Sequence, residues 1–253
     1  MKNETSNMVE IDIVIPVYNE EKDLEKSILK LCNWAEEHPK HKWMVTIANN
    51  ASTDKTLQIA KELKIKFPKT VRVIDIPSKG RGIAIGTSWL KSNSQICAFM
   101  DVDLSTALTH IPEIIEPIIN NEADLCIGSR WLKESEAGRN FFRGILSWSY
   151  NQILKTILHL KTSDAQCGFK GIRTDLAKKI IPLIEDKNWF FDTELLVLAE
   201  YASLKVCTVP VKWIEDPDTR VNIPKTVYED IKGLLRLRFT AKRNIRNWQR
   251  KRG

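Results

Sequence analysis

Ile96-Cys97-Ala98-Phe99-Met100-Asp101-Val102-Asp103 is an apolar run that ends in two carboxylates one residue apart. The run reads as a buried strand, and strand residues alternate faces. Asp101 and Asp103 therefore point the same way if strand geometry persists past Met100. In open α/β sheets ligands bind beyond the carboxyl ends of the strands. Two carboxylates placed there form a seat for a divalent cation, which can in turn hold a diphosphate. A pair of this kind also occurs by chance at the start of ordinary loops, so its meaning depends on the rest of the chain.

Upstream, Ile11–Val17 reads as a strand followed by the turn Tyr18-Asn19-Glu20-Glu21, and Leu24, Ile28, Leu31 and Trp34 recur at helical spacing. Trp43–Ala48 is a second strand, ending in Asn49-Asn50-Ala51-Ser52-Thr53-Asp54, and a helix carrying Leu57, Ala60, Leu63 and Phe67 stops at Pro68. Val71–Asp75 is a third strand, and Lys79-Gly80-Arg81-Gly82 opens the next helix. Downstream of Asp103 come a short helix after Pro112 and a strand at Asp124–Gly128 leading to Ser129-Arg130. Helices are expected at Phe142–Leu158, Asp175–Ile181 and Asp192–Ala202, and short strands at Lys205–Val209 and Val211–Trp213. Strands alternating with helices predict a mostly parallel central sheet with helices on both faces. Five polar loops, at Pro16–Glu20, Asn49–Asp54, Lys79–Gly82, Asp101–Asp103 and Gly128–Arg130, then share one rim.

A chain of 253 residues with 43% hydrophobic content suits one domain with a full core, or one domain with an appendage. Residues 1–10 are polar and read as a lead-in, not a signal peptide; 11–222 form the predicted catalytic domain and 223–253 a helical extension. The five cysteines form no CxxC pair and several sit in apolar runs, which predicts reduced, packed thiols. No apolar stretch approaches the ~18 residues of a membrane-spanning helix. The net charge of +7 is uneven: nine basic residues and no acidic ones lie between Ile231 and Gly253, leaving 30 of the 39 basic residues against all 32 acidic ones elsewhere.

The segments Ile13-Val14-Ile15-Pro16-Val17-Tyr18-Asn19-Glu20, Asp164–Gly171, Trp189–Leu196, Val209–Trp213 and Asp218-Thr219-Arg220, in this order, resemble the family 2 glycosyltransferases over about residues 11 to 220. The resemblance is nearest to the dolichyl- or polyprenyl-phosphate glucosyltransferases and mannosyltransferases. It implies the GT-A nucleotide-sugar-binding fold, α/β in class. It also implies inverting transfer of a hexose from a nucleotide diphosphate sugar to a polyprenyl phosphate. Asp164–Gly171 and Trp189–Leu196 favour glucose from UDP-glucose, with mannose from GDP-mannose as runner-up. A soluble family 2 transferase acting on a saccharide or protein hydroxyl is a further alternative.

On this resemblance Pro16, Tyr18 and Glu20 wall the nucleoside. Tyr18 can stack on a base, and Glu20 can accept from ribose hydroxyls. Asn49 stands where the family usually has an aspartate that accepts from the base imide. An amide carbonyl can make the same bond without charge, which leaves uracil and guanine both open. Lys79 and Gly80 lie where a diphosphate would approach a helix N-terminus. Asp103 is the expected metal ligand, with Asp101 directed to the ribose or sharing the ion, and an all-oxygen site of this kind suits Mg²⁺ or Mn²⁺. Arg130 would reach toward phosphate, Gln166 would meet the sugar, and Arg220 would clamp the donor diphosphate. Arg139 and Arg143 fall in a segment like the family's acceptor loop, and arginine's fork suits phosphate. Asp192 matches the position of a general base in relatives that use hydroxyl acceptors. Here it is either a base, an orienting group or a first-turn helix charge.

From Thr226 to Trp248 the apolar residues Val227, Ile231, Leu234, Leu235, Ala241, Ile245 and Trp248 recur at helical spacing among basic residues. That pattern fits a helix lying on an anionic membrane surface, a helix packed on the catalytic domain, or both over different parts. A nucleic-acid partner is not expected, since no aromatic platform or known module accompanies the charge. The expected location is the cytoplasmic face of a membrane, bound peripherally.

Overall fold

The computed structural model describes residues 8–138, 141–214 and 223–250. Seven strands form one sheet: β1 (Glu10–Val17), β2 (Lys42–Asn50), β3 (Val71–Ile76), β4 (Ile96–Met100), β5 (Leu125–Ser129), β7 (Phe169–Arg173) and β8 (Val206–Pro210), in the order β3-β2-β1-β4-β7-β5-β8. Only β7 runs antiparallel to its neighbours, β4 and β5. Two short strands, β6 (Glu136–Gly138) and β9 (Lys212–Ile214), pair parallel beside it. The mostly parallel sheet expected from the alternation is present, and β6 and β7 are additions to it.

Helices cover both faces. α1 (Leu24–Glu37), α2 (Thr56–Lys66) and α4 (Ile111–Ile119) pack with Ile11, Ile13, Ile15, Val45 and Ile47 on one side. On the other, α3 (Arg81–Lys91), α5 (Phe141–Leu158), α6 (Thr174–Ile180), α7 (Phe191–Tyr201) and α8 (Ile223–Arg250) pack against Val14, Cys97, Phe99 and Ile127. Residues 97 and 99 thus share the α3 face while 96, 98 and 100 share the other, as strand alternation demands. All five thiols are free, and only Cys207 is less than fully buried.

Because β5 and β4 both oppose β7, they run parallel to each other, and β8 follows β5. The carboxyl ends of β1, β2, β3, β4, β5 and β8 therefore lie on one rim, and the segment entering β7 starts from that same rim. The β1 and β2 loops are sewn together there. Asn19 N–H donates to Ser52 Oγ (3.0 Å), Thr53 N–H to Asn19 Oδ1 (2.8 Å), and Glu20 N–H to Thr56 Oγ1 (2.8 Å). Asp54 accepts the Thr56 N–H at 2.9 Å, fastening the start of α2.

α8 is built of two stripes. Asp230, Leu234, Leu237, Ala241 and Ile245 are buried against the domain, and Gly233 lies against Phe190. Arg236 adds a two-pronged ion pair to Glu194 on α7 (3.1 and 2.6 Å), whose fully buried carboxylate also accepts the N–H groups of Glu185 and Asp186. The other stripe, Val227, Tyr228, Ile231, Leu235 and Phe239, is exposed. Among the described residues no helix is long and apolar enough to cross a membrane.

Candidate active site

Strand geometry stops at Met100, and residues 101–103 turn away from the sheet. The expectation that alternation alone would align the two carboxylates is therefore not how they meet. Asp101 keeps the direction of Cys97 and Phe99 and faces the start of α3. Asp103 is reached through the turn, where its Oδ1 accepts the Ser105 N–H at 2.9 Å. Both line one pocket of about 10 Å³ together with Leu104, Ser105, Thr106, Gly168 and Trp213. That is the volume of a single water or ion. Thr106 bridges to Trp213, which closes this side of the pocket. Gly168 is required by close approach, since a Cβ there would stand 1.7 Å from Asp101 Oδ2. The donors are all oxygens and suit a hard cation. Among the described residues no three His, Cys, Asp or Glu side chains form a metal cluster. The pair thus makes a seat whose size and oxygen donors fit a single hard divalent ion.

Beside this pocket lies a buried charge network that the sequence did not announce. Arg81, at the first position of α3, pairs with Asp101 Oδ1 (2.8 Å) and with Asp192 Oδ2. Its guanidinium lies over the rings of Phe99 (4.9 Å) and Trp189 (5.2 Å). Lys170 on β7, with no exposed side-chain surface, donates to Asp192 Oδ1 and to the Cys167 carbonyl, both at 2.6 Å. Asp192, in the first turn of α7 and 4% exposed, thus has both oxygens committed to cations.

Arg130 is likewise engaged. Its Nε, Nη2 and backbone N–H all donate to the Asp164 carboxylate, at 2.7, 2.9 and 3.1 Å, and the pair is buried. The opposing guanidinium lowers the Asp164 pKa against the rise that burial alone would cause. A guanidinium held this way pins the 164–168 segment beside Asp101; Arg130, expected from the sequence to reach toward phosphate, meets the Asp164 carboxylate here.

Where the β1 loop meets the start of α3, Lys79 Nζ sits 3.7 Å from the centre of the Tyr18 ring, so one face of Tyr18 carries an ammonium. Gly80 N–H donates to Asn50 Oδ1 (2.9 Å), and a Cβ at Gly80 would lie 2.4 Å from the Lys187 carbonyl oxygen. That carbonyl also accepts the Ile83 N–H, so part of the α3 N-terminus is already used. Pro16 is level with Ala48 in the β1–β2 register, and Val17, Asn49 and Asp75 stand in a row across three strands. Asn49 is 1% exposed; its Nδ2 donates to Asp75 (2.7 Å), and its Oδ1 has no partner among the described residues. A carboxylate at position 49 would face Asp75 at hydrogen-bond distance, a like-charge clash that the amide avoids. Gln166 is exposed on the segment that carries Gly168. Arg139 and Arg220 lie outside the described residues, and of Arg143 only the helical backbone is described.

The rim therefore assembles Tyr18, Glu20, Asn49, Lys79, Gly80, Asp101, Asp103 and Asp192, and adds Asp75, Arg81, Asp164, Lys170 and Trp213. Arg81 was visible in its glycine-flanked stretch. Lys170 and Asp164 stood in a segment that carried the family resemblance, but their ion pairs had no local signal, because the partners lie 22 and 34 residues away.

A seven-stranded, mostly parallel sheet with its polar loops and paired aspartates on one rim is the GT-A architecture. Glucosyl-3-phosphoglycerate synthase from Mycobacterium tuberculosis shares it. Its UDP complex has a TM-score of 0.69 at 17% identity, covering 91% of this chain and 80% of that one. Its complex with Mn²⁺, UDP-glucose and phosphoglyceric acid has a TM-score of 0.67 at 16% identity, with the same coverage. Residues 12–181 match the model of glycosyl transferase family 2, and the chain belongs to that family. It is 30% identical to glycosyltransferase AglD of Haloferax volcanii over 88% of this chain and 36% of that protein. It is also 30% identical to dolichyl-phosphate beta-glucosyltransferase ALG5C of Trichomonas vaginalis over 83% of this chain and 65% of that one. The chain thus spans about a third and about two thirds of these two relatives.

Proposed function

We propose that this chain transfers glucose from UDP-glucose to a polyprenyl phosphate, with inversion at the anomeric carbon. The observation that carries the reading is the two-carboxylate pocket of Asp101 and Asp103, on the same rim of strand ends that carries Asn49 and Lys79. The names of the dolichyl-phosphate glucosyltransferase relatives and the UDP-glucose bound by the structural neighbour support the sugar and the acceptor.

Asp103 and Asp101 would hold Mg²⁺ or Mn²⁺, which supplies positive charge to the departing nucleoside diphosphate. Tyr18, Glu20 and Asn49 bind the nucleoside, with Pro16 shaping the wall. Lys79 and Gly80 meet the diphosphate, and Arg220 adds a clamp from the C-terminal side. Gln166 orients the hexose. Arg139 and Arg143 bind the acceptor phosphate. A phosphomonoester is already largely ionised at neutral pH, so its oxygen can attack without a base. Asp192, held by Arg81 and Lys170, acts as the anion that fixes those two cations, and through Arg81 it orients Asp101. Arg130 serves by fixing the 164–168 segment.

The exposed stripe of α8 would rest on an anionic membrane surface at the cytoplasmic face. Lys232, Lys242, Arg243 and Arg246 are exposed on the same helix, and α5 adds exposed Trp148 and Ile153. Flotation with vesicles containing 30% phosphatidylserine should recover the protein, and Leu235→Asp with Phe239→Asp should release it. Unchanged recovery of that variant would reject this surface.

The functional test compares initial rates with UDP-glucose and GDP-mannose, each with polyprenyl phosphate in detergent micelles and 5 mM MnCl₂. UDP-glucose should lead by at least tenfold, and Asp103→Ala should remove the metal-dependent rate. Equal rates, or full activity of Asp103→Ala, would overturn the donor and metal assignments respectively.

A further inference from the structure

Asn49 presents an unusual combination. Its side chain is buried, its amide nitrogen is bound to Asp75 Oδ1 at 2.7 Å, and its carbonyl oxygen has no hydrogen-bond partner among the described residues. A buried acceptor without a donor costs about 1–3 kcal/mol, so proteins seldom retain one unless something else supplies the donor. An asparagine amide can ordinarily turn over, exchanging its acceptor and donor ends. Here it cannot, because Asp75 is a carboxylate at the exposed end of β3 and offers only acceptors. The register places the two residues directly opposite each other on neighbouring strands, which holds that bond in place.

We propose that Asp75 sets nucleotide specificity: it locks the Asn49 amide so that the carbonyl oxygen alone is left for the nucleobase. The inference rests on the nucleotide-sugar reading above and adds a residue to it. The atom left unpaired is an acceptor, so the site selects a base whose pairing edge carries a ring N–H. Uracil (N3–H) and guanine (N1–H) have this donor. Cytosine and adenine present a ring nitrogen lone pair at the equivalent place, and that lone pair would face the Asn49 oxygen. Rejection then arises from two facing acceptors, which discriminates more strongly than a missing contact alone. Asp75 touches the base only through Asn49 and is a positioning residue. Its neighbours explain why the amide is tolerated in place of a carboxylate: Asp75 already supplies the charge, and the uncharged amide relays its orientation.

The test measures binding of UDP, CDP, GDP and ADP to the full chain by calorimetry at fixed 5 mM MgCl₂, without turnover. In the wild type, UDP should bind at least tenfold tighter than CDP, or GDP at least tenfold tighter than ADP. Asp75→Leu removes the acceptor, lets the amide turn, and should bring the preferred pair within about threefold. Asp75→Asn keeps a carbonyl that can accept the Asn49 Nδ2–H and should retain most of the discrimination. A purely structural role would lower all four affinities together and leave the ratios standing. An unchanged ratio in Asp75→Leu, or a wild type that binds CDP as tightly as UDP and ADP as tightly as GDP, overturns the proposal. Failure of all four nucleotides to bind the folded wild type would overturn the nucleotide-sugar reading along with it.

Discussion

Replacing Asp192 by asparagine removes one carboxylate from between two cations, and the structure sets the size of the effect. Lys170 has no exposed side-chain surface and, among the described residues, two acceptors, Asp192 and the Cys167 carbonyl; Arg81 is 10% exposed. Breaking a buried ion pair by removing one partner costs about 3–5 kcal/mol, because the remaining charge is stranded. For a chain of this length each kcal/mol shifts the melting temperature by about 2–4 °C. Asp192→Asn should therefore lower it by roughly 10 °C. Lys170→Met removes the stranded charge and leaves Asp192 paired with Arg81. Combined with Asp192→Asn, it should recover at least about 2 kcal/mol relative to the sum of the single changes, as expected for residues in contact. The assay is urea unfolding followed by fluorescence of the eight tryptophans, run on all four proteins in one buffer. Additive effects within about 0.5 kcal/mol would refute the buried network as the reason Asp192 is where it is.

Three other outcomes follow from particular contacts. Gly168→Ala drives a methyl into Asp101 Oδ2; it should reduce turnover at least 100-fold while shifting the melting temperature far less than Asp192→Asn, checked by rate and thermal scan together. Asp230, buried on α8 with Asp186 as a further negative neighbour, has its pKa raised to about 7, burial being the larger cause. The folded state then holds a proton that the unfolded chain releases near its ordinary value, so this group's contribution to stability falls as pH rises from about 4 through 7. Asp230→Asn should remove that dependence, leaving the variant the more stable protein at pH 8 and little different at pH 4, read by unfolding at both values. Arg236→Ala should expose α8 to protease at sites the wild type protects, since it strands the fully buried Glu194 carboxylate; equal digestion patterns would contradict the docking of α8 through that pair.

Much of this molecule was legible in the chain because the signals were local. Apolar runs of five to nine residues gave the parallel strands, and the polar loops after β1 to β5 fell on one rim because parallel strands share a carboxyl end. The pairing of Asp101 with Asp103 in one pocket was also readable, although a turn brings them together and not strand alternation. β7 was hidden because its buried lysine breaks an apolar pattern, and Lys170 makes sense only with Asp192 beside it. The engagement of Arg130 was hidden for the same reason: Asp164 lies on a distant loop, and a lone arginine after a strand looks free. In α8 the apolar residues could be read at helical spacing, but periodicity alone does not say which of them face inward. The burial of Leu234, Leu237, Ala241 and Ile245 decides that, leaving Ile231, Leu235 and Phe239 for another surface.

The central claim is that the rim around Asp101 and Asp103 moves glucose onto a lipid phosphate. The most direct measurement incubates the purified chain with UDP-glucose, Mn²⁺ and equal concentrations of polyprenyl phosphate and a soluble saccharide acceptor, then identifies the glucosylated product by mass spectrometry and its anomeric configuration by proton coupling constants. The account predicts a β-linked glucosyl phosphate on the polyprenol and no saccharide product. Glucose appearing on the saccharide, or an α-linked product, would contradict it.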